Sequence, residues 1–286
     1  MTSPSIRPMT HTELSRLVRW AAVEGWNPGL HDADLFWNSD PEGFLTAVHH
    51  DQMIGGGAIV KHSSRFGFMG LFIIDQEHRG RGLGRELWYA RRDHLLERLG
   101  ENATIGLDGV DAMVPFYAKG GFSEHTRHRR FELLHHGVTN DAPLNICRIA
   151  EVDFAEICKL DEACFPAQRT VNLRSWLQQP DALAFTSEAD SGCQGFAVMR
   201  KCLEGWKIGP LFSKDQATAK DLCKTCLAHA MNQSVFIDVP DDNPNAVALS
   251  RELPSKEVFG CTRMYLGPKP EIRTDWIYGI STLETG

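Results

Sequence analysis

The sequence predicts an α/β fold arranged as two tandem halves. Runs typical of strands alternate with amphipathic runs typical of helices along the 286-residue chain. In the first half, a strand and a helix are joined by a glycine-rich turn that also carries three arginines. In the second half, the order of strands and helices repeats without such a turn. The length fits two domains of about 100–150 residues each.

Periodicity and capping residues predict the elements of the first half. A strand at residues 5–9 is followed by a helix with a threonine cap, and two more strands are joined by the turn Asp51-Gln52. The helix after the glycine-rich turn carries an apolar face that includes Arg91. We expect the stem of Arg91 to lie along the sheet and its head group to reach outward. The remaining ranges are helices 12–25 and 86–99 and strands 43–50, 53–61, 66–74 and 103–108.

The glycine-rich turn has the composition of an anion site. Its residues are Arg79-Gly80-Arg81-Gly82-Leu83-Gly84-Arg85. Glycines let the main chain approach a ligand closely, and the helix N-terminus and the arginines add positive charge, so the expected ligand is a phosphate or pyrophosphate. The Gly-Lys-Ser/Thr triplet of a P-loop is absent, and the glycine spacing differs from that of a dinucleotide fingerprint. A basic surface turn without a ligand is the alternative.

Two motifs in this half resemble those of the GNAT N-acetyltransferases. Arg79, Gly82 and Gly84 match the pyrophosphate loop of that family, Gln/Arg-x-x-Gly-x-Gly/Ala. Downstream, the sequence is similar to the family's short helix with a tyrosine, followed by Gly-Phe; it reads Pro115-Phe116-Tyr117-Ala118-Lys119-Gly120-Gly121-Phe122. The resemblance covers about residues 1–137. It implies a mixed, mostly antiparallel twisted sheet flanked by helices.

The resemblance also implies acetyl-CoA as cosubstrate. In the family, the strand before the loop splays from its neighbour, and its backbone pairs with the pantetheine arm like an added strand. This would place the backbone of Phe72, Ile73 and Ile74 along the arm, although the side chains of Phe72 and Ile74 can equally be sheet core. The pyrophosphate would lie on the loop residues Arg79, Gly80, Arg81, Gly82, Leu83, Gly84 and Arg85.

Tyr117 and Asp108 are the candidate catalytic residues. A tyrosine at this position of the motif protonates the departing thiolate in the family, and a phenol held at hydrogen-bond distance from the sulfur is suited to that step. The alternative for Tyr117 is a half-buried residue that packs the short helix. Asp108 ends the next predicted strand and is the candidate for the base or the amine binder. A structural carboxylate bonded to turn amides is an equal alternative for Asp108.

The connection between the first helix and the second strand usually covers the acceptor site in this fold. Here it contains Trp26, Asn27, Asp32 and Trp37, which would suit a small cationic amine. The alternative is that the tryptophans close the core while the acid faces water.

The second half resembles a degenerate GNAT module. Its strands are predicted at 145–149, 182–187, 195–200, 206–212 and 234–239, and its helices at 151–165 and 218–231. In place of the pyrophosphate loop, residues 213–219 lack glycine and contain Asp215, so we expect no CoA binding there. We place the domains at 1–137 and 141–286, with the seam at 135–143, and expect residues 238–243 to contribute to the acceptor site.

All eight cysteines lie in the second half. Cys223 and Cys226 form a C-x-x-C pair, but no second pair follows and His229 does not complete a zinc site. We therefore expect buried reduced thiols and no metal.

Composition narrows the function further. A net charge of −7 disfavours a nucleic-acid partner and mildly favours a cationic substrate. The start of the sequence lacks an apolar leader and no stretch approaches the length of a membrane span, so that, with free cysteines, we expect a cytoplasmic protein without a membrane partner. The sequence leaves the oligomeric state open.

These observations favour an acetyl-CoA-dependent N-acetyltransferase. Its acceptor would be the primary amine of a small molecule, such as an amino acid or a polyamine, attacking directly in a ternary complex. One alternative is a protein lysine or N-terminal acetyltransferase. Another is a non-catalytic sensor that binds acyl-CoA.

Overall fold

The structure is a computed structural model in which residues 4–134, 146–149, 154–189, 192–230 and 233–286 are described. Within these ranges the first half contains β1 (Ser5–Pro8), α1 (His11–Val23), α2 (Asp32–Ser39), β2 (Phe44–His49), β3 (Gln52–Lys61), β4 (Phe66–Ile74), α3 (Leu83–Arg98), β5 (Thr104–Val110), α4 (Val114–Lys119) and β6 (Ser123–Leu133). The second half contains β7 (Ile146–Arg148), α5 (Phe154–Cys164), α6 (Thr170–Gln178), β8 (Ala182–Ala189), β9 (Gly192–Lys201), β10 (Trp206–Ser213), α7 (Gln216–His229), β11 (Val235–Pro240), α8 (Pro244–Glu252), β12 (Ser255–Leu266) and β13 (Ile277–Gly279).

One thirteen-stranded sheet runs through the molecule. Its order is β1-β2-β3-β4-β5-β12-β6-β11-β10-β9-β8-β7, and β13 pairs with β10 off this path. The β4–β5 and β10–β11 pairs are parallel, and the others are antiparallel. Helices cover both faces, since Ile59 of β3 packs under α3 while its neighbours Ala58 and Val60 pack under α1. The predicted mixed, mostly antiparallel sheet flanked by helices is confirmed.

The two halves exchange a strand. β12 of the second half lies between β5 and β6 of the first, with Cys261 opposite Val110 and Thr262 opposite Arg127. β6 in turn pairs with β11, where Arg130 lies opposite Asp238. Each structural unit is therefore completed by a strand from the other half of the chain. The predicted seam at 135–143 lies outside the described residues, and the boundaries at 137 and 141 stay a prediction.

The helix α1 begins as its sequence predicts. The Thr10 hydroxyl accepts a hydrogen bond from the Glu13 backbone N–H, and the Glu13 carboxylate accepts one from the Thr10 N–H, which together form a capping box.

The apolar face of α3 is confirmed as core, with Leu87, Trp88 and Leu95 buried. The expectation for Arg91 was wrong, because its guanidinium does not reach outward. It is buried, and Nη2 donates to the carbonyl oxygens of Ala58 at 2.5 Å and Gly70 at 2.7 Å. Main-chain acceptors inside the sheet, which side-chain periodicity does not reveal, hold the charge there.

The C-terminal tail, residues 281–286, is buried between the halves. Arg169 donates to the Ser281 hydroxyl at 2.7 Å and to the Gly286 carbonyl at 3.2 Å. The ring of His62 donates from Nε2 to the Thr285 carbonyl at 2.7 Å. The tail also crosses β4 at Gly70, where an added Cβ would overlap the Glu284 carbonyl oxygen. These contacts fix the tail beside the point where β4 leaves β5.

Among the described residues, none of the helices combines the length and the apolar character that a membrane span requires.

Candidate active site

The site begins where β4 and β5 separate. The two strands are paired from Phe66 and Thr104 as far as Met69 and Leu107, and their pairing then stops. Two residues later, Leu71 has a φ of 48°, a region that residues other than glycine rarely occupy. This local distortion bends β4 away from β5. The space that opens between the strands is lined by Phe72, Ile73 and Ile74.

The glycine-rich loop lies at the mouth of this opening. Gly82, with a φ of 79°, is the N-cap of α3, and Gly80 also has a left-handed φ of 75°. Neither position has a neighbour within 4 Å of an added Cβ, so the loop backbone is uncovered. The first N–H groups of α3 have no intrahelical acceptor and are available to an anion at this end of the loop, although the Arg85 N–H already donates to the Gly82 carbonyl at 3.0 Å.

The arginines of this loop differ in whether their side chains are held by other protein groups. Arg79 is held in place, since Nε donates to the Ile74 carbonyl at 2.8 Å and Nη2 lies 2.5 Å from Glu24 Oε1. Arg81 and Arg85 are exposed. Of the loop residues predicted to hold the cofactor, Arg79, Gly80, Gly82, Leu83, Gly84 and Arg85 line the cavity, whereas Arg81 does not.

The opening continues into a cavity of about 490 Å³. Its inner walls are mostly apolar and aromatic and come from β4, β5, α3, α4 and β12; they include Met69, Phe72, Trp88, Leu107, Val110, Met113, Phe116, Tyr117 and Phe259. Such a lining, with few polar groups, is typical of small-molecule sites.

Tyr117 lies in this cavity on α4. It is 8% exposed, and its ring packs against Trp88 with the centroids 6.0 Å apart. Burial raises the pKa of Tyr117 to about 12, although the nearby Arg91 acts in the opposite direction. The phenol therefore carries its proton throughout the physiological pH range, as a proton donor must.

Asp108 also lines the cavity, but its carboxylate is already engaged. Arg263 of β12 donates from Nε and Nη2 to its two oxygens at 2.8 and 2.7 Å, and Nδ1 of His128 lies 3.1 Å from Oδ1. Burial alone would raise the pKa of Asp108, but Arg263 and His128 outweigh it and hold this pKa well below its usual range. Asp108 is therefore a poor proton acceptor, and the alternative of a structural carboxylate has the stronger physical support.

One cluster of potential metal ligands occurs among the described residues. Oxygen, nitrogen and sulfur atoms of Asp108, His128 and Cys261 lie within 4.8 Å of one another. The guanidinium of Arg263 occupies both Asp108 oxygens, and burial raises the pKa of the Cys261 thiol. Both features oppose a bound cation.

The predicted acceptor residues do not converge. Trp26 lines the cavity. Asn27 instead hydrogen-bonds the backbone of Glu204 in the second half at 2.8 and 2.9 Å. Asp32 is fully buried and pairs with Arg200 of β9 at 3.1 Å. Trp37 packs over Phe44 in the core under α1. Three of the four residues therefore support the structure or join the halves.

The second half does reach the cavity, but through other residues than expected. Of residues 238–243, Asp238 pairs with Arg130 at 2.7 and 2.8 Å and is buried beneath the site. The residues of the second half that line the cavity are Phe259 and Cys261 of β12 and Leu283 and Glu284 of the tail. Because these residues follow from the strand exchange and from the path of the tail, no local sequence pattern marked them.

Comparison with known proteins agrees with this geometry. The model of the acetyltransferase (GNAT) family matches residues 11–122, and a model of the acetyltransferase (GNAT) domain matches residues 157–279. The chain belongs to the GNAT acetyltransferases. It is a tandem GNAT protein, since the two matches lie in its two halves.

One sequence relative and two solved structures resemble this GNAT chain over most of its length. The holothin acyltransferase of Pseudoalteromonas sp. (strain SANK 73390) is 28% identical over 281 residues, which cover 98% of this chain and 94% of the relative. A crystal structure from Pyrococcus horikoshii, provisionally described as an acetyltransferase, has a TM-score of 0.85 at 22% identity. The match covers 100% of this chain and 97% of the Pyrococcus horikoshii chain. A tandem GNAT protein from the clavulanic acid biosynthesis pathway has a TM-score of 0.65 at 14% identity. The match covers 93% of this chain and 100% of that protein's chain.

The second GNAT half has the same parallel strand pair, but its opening is filled. β10 and β11 are paired only as far as Ile208 and Ile237, and β13 then pairs with Leu211 and Phe212 of β10. At the start of α7, the Asp215 carboxylate accepts the Thr218 backbone N–H at 2.9 Å. Protein groups thus occupy the positions that pantetheine and pyrophosphate would need, and this supports the expectation that the second half does not bind CoA.

Proposed function

We propose that the protein transfers an acetyl group from acetyl-CoA to the primary amine of a small molecule, by direct attack in a ternary complex. The observation that carries this proposal is the meeting of three features in one cavity. They are the separated strands β4 and β5, the uncovered loop before α3, and the protonated Tyr117. Membership of the GNAT family and the full-length similarity to a holothin acyltransferase support acyl transfer as the reaction class.

The donor site follows from the backbone. The amide-bearing pantetheine arm would lie along residues 72–74 like an added strand, since β5 has left that side of β4 free. N–H groups of residues 80–84 would bind the pyrophosphate at the N-terminus of α3, where the helix dipole favours negative charge, whereas the Arg85 N–H already donates to the Gly82 carbonyl. Arg85, which is exposed at the cavity rim, would add charge without needing to break an existing pair.

Tyr117 is proposed as the proton donor. When the amine attacks the thioester carbonyl, the C–N bond forms and the C–S bond breaks, leaving a thiolate. The phenol proton of Tyr117 would move to that sulfur. A phenol is protonated at neutral pH, and burial raises the pKa of Tyr117 further, so the proton would be present in the resting enzyme.

A small acceptor is favoured over a protein side chain by the size and lining of the cavity. Its volume of about 490 Å³ is in the range of small-molecule sites, and Phe259, Leu283 and Glu284 of the second half contribute to its lining. We therefore favour a free amino acid or polyamine as the acceptor.

Turnover with a panel of amines tests the proposal. The purified chain is incubated with acetyl-CoA and primary amines of several classes, and free thiol and acetylated products are measured together. Amine-dependent thiol release with a matching product mass is the expected result. Tight acetyl-CoA binding without turnover on any amine would favour the non-catalytic sensor, and acetylation restricted to protein lysines would favour the protein acetyltransferase.

A further inference from the structure

We propose that Glu284 of the C-terminal tail binds the ammonium group of the acceptor and takes its proton before attack. This inference rests on the proposed amine acetyltransferase activity. It assigns a catalytic carboxylate to a segment that belongs to the second half of the chain, although the cosubstrate would bind to the first half.

The tail places Glu284 beside the reacting centre. Its backbone carbonyl lies against Gly70 of β4, two residues before Phe72, where the thioester would lie. Glu284 is 3% exposed and lines the same cavity as Tyr117. His62 and Arg169 anchor the flanking residues of the tail through Thr285 and Gly286. The carboxylate is therefore held by a buried segment with fixed contacts.

The other carboxylates of the cavity are committed elsewhere. Three described acidic residues line it, namely Glu24, Asp108 and Glu284. Glu24 pairs with Arg79 at the pyrophosphate loop, and Asp108 forms the two-bond pair with Arg263. Among the described residues Glu284 forms no such pair with an arginine or lysine, and its carboxylate accepts a hydrogen bond from the neutral hydroxyl of Thr282. It is thus the carboxylate best able to receive a cationic ligand.

Two of the three cations near Glu284 are already neutralised. Arg130, Arg200 and Lys207 lie near it in the buried interior. Arg130 is neutralised by Asp238 and Arg200 by Asp32, whereas Lys207 donates to the backbone carbonyls of Trp26 and Asn27. These hydrogen bonds and ion pairs engage the three cations without the Glu284 carboxylate.

The proposed step conserves protons and electrons. An ammonium proton of the acceptor moves to the Glu284 carboxylate, and the freed lone pair attacks the thioester carbon. As the C–S bond breaks, the sulfur takes the Tyr117 proton, and the second proton lost by the nitrogen restores the phenol. Glu284 then releases its proton to water, which accounts for the single proton that the net reaction liberates.

The test compares Glu284→Gln with Glu271→Gln, an exposed glutamate of the same C-terminal segment. Each variant is assayed with a strongly basic amine and with an oxyamine of the same skeleton, which is already uncharged at neutral pH. For the basic amine, we expect Glu284→Gln to lose about 100-fold or more in kcat/KM, the usual contribution of a general base. The loss should be much smaller for the oxyamine, while the Kd of acetyl-CoA and the activity of Glu271→Gln stay unchanged.

Equal losses for both acceptors would overturn the proposal, because a purely structural role does not depend on acceptor basicity. Wild-type turnover in Glu284→Gln would overturn it as well. Glu284→Asp keeps a carboxylate and should recover part of the activity even if the glutamine variant folds poorly; no recovery counts against the role. If the wild-type protein acetylates no amine, the proposed function fails together with this inference, whereas an active wild type with an unaffected Glu284→Gln refutes the role of Glu284 alone.

Discussion

Tyr117 and Asp108 are both buried and both lie near an arginine, yet their protons behave in opposite ways. Arg91 does not compensate for the burial of Tyr117, so its pKa rises to about 12 and the phenol stays protonated. Arg263 makes two hydrogen bonds to Asp108, and together with His128 it more than compensates for burial and lowers the pKa of that carboxyl. Tyr117 can therefore donate a proton, while Asp108 has little tendency to accept one.

Replacing Tyr117 by phenylalanine removes the proposed proton donor while keeping the ring that packs on Trp88. We expect kcat to fall by about 100-fold or more, as for loss of a general acid, and the Kd of acetyl-CoA to stay nearly constant. Steady-state kinetics and calorimetry measure the two quantities. Tyr89→Phe, on the neighbouring helix α3, is the matched control, and an unchanged kcat in Tyr117→Phe would remove Tyr117 from the mechanism.

His62 gives the protein a defined loss of stability in acid. Burial lowers its pKa from 6.5 to about 4. The unfolded chain therefore binds a proton more readily than the folded one between these values, so this contribution is present above pH 6.5 and is lost as the pH falls toward 4. The full contribution is about 3 kcal/mol.

Urea denaturation at pH 7 and pH 5 measures this effect. His62→Gln should show a smaller difference in unfolding free energy between the two pH values than the wild type. His94→Gln, at a partly exposed position of α3, should keep the wild-type difference. If the unfolding free energy of His62→Gln had the same pH dependence as that of the wild type, the lowered pKa of His62 would be contradicted.

At the scale of single residues, sequence motifs marked positions that depend on local chain geometry. Tyr117 and the loop glycines occupy motif positions, and the structure brings them to one cavity. Glu284 and Phe259 carry no motif and reach the cavity only through long-range packing. Asn27 and Asp32 matched a plausible amine pocket in composition, but partners in the second half, Glu204 and Arg200, determine where their side chains lie.

At the scale of elements, the loop before α3 is the most sensitive segment. Gly82→Glu would place an acidic side chain at a left-handed position beside the proposed pyrophosphate site. Strain and charge repulsion should both act, so we expect acetyl-CoA binding to be lost in calorimetry. Lys214→Glu introduces the same side chain in the corresponding loop of the second half and should leave the Kd unchanged. Normal affinity in Gly82→Glu would refute the loop assignment.

Elements with a long, clear period were predicted well. β4 spans Phe66–Ile74 as expected, and α1 and α3 differ from their predicted ends by a few residues. The short helices α2, α6 and α8 were missed, because eight or nine residues give too few turns for a helical period to stand out. The bend at Leu71 was also invisible, since leucine gives no signal of a positive φ.

At the scale of the whole molecule, buried charge pairs join the two halves. Asp32 of α2 and Arg200 of β9 are both fully buried. Asp32→Asn would leave the guanidinium without its counter-charge, and we expect a loss of about 3–5 kcal/mol in the free energy of unfolding. Asp34→Asn, an exposed position two residues away, should cost far less. Urea denaturation measures the free energy of unfolding of both variants. Similar values for the two would contradict the stabilising role of the Asp32–Arg200 pair between the halves.

The duplication was predictable from the repeated order of elements, but the strand exchange was not. No strand was predicted over residues 255–266, so β12 was missed together with its neighbours in the sheet. Arg263 of β12 and Asp108 of β5 form an ion pair in the exchanged arrangement, but they are 155 residues apart in the sequence, so no local pattern marks this contact.

The exchanged strand has a consequence for the synthesis of the chain. β5 gains its second neighbour only after the ribosome has produced residues 255–266, and residues 281–286 add to the cavity lining later still. A product that stops before residue 255 therefore leaves an edge of β5 unpaired and lacks Phe259, Cys261, Leu283 and Glu284 of the lining. We expect such a product to lack transferase activity even though it contains every loop glycine and Tyr117.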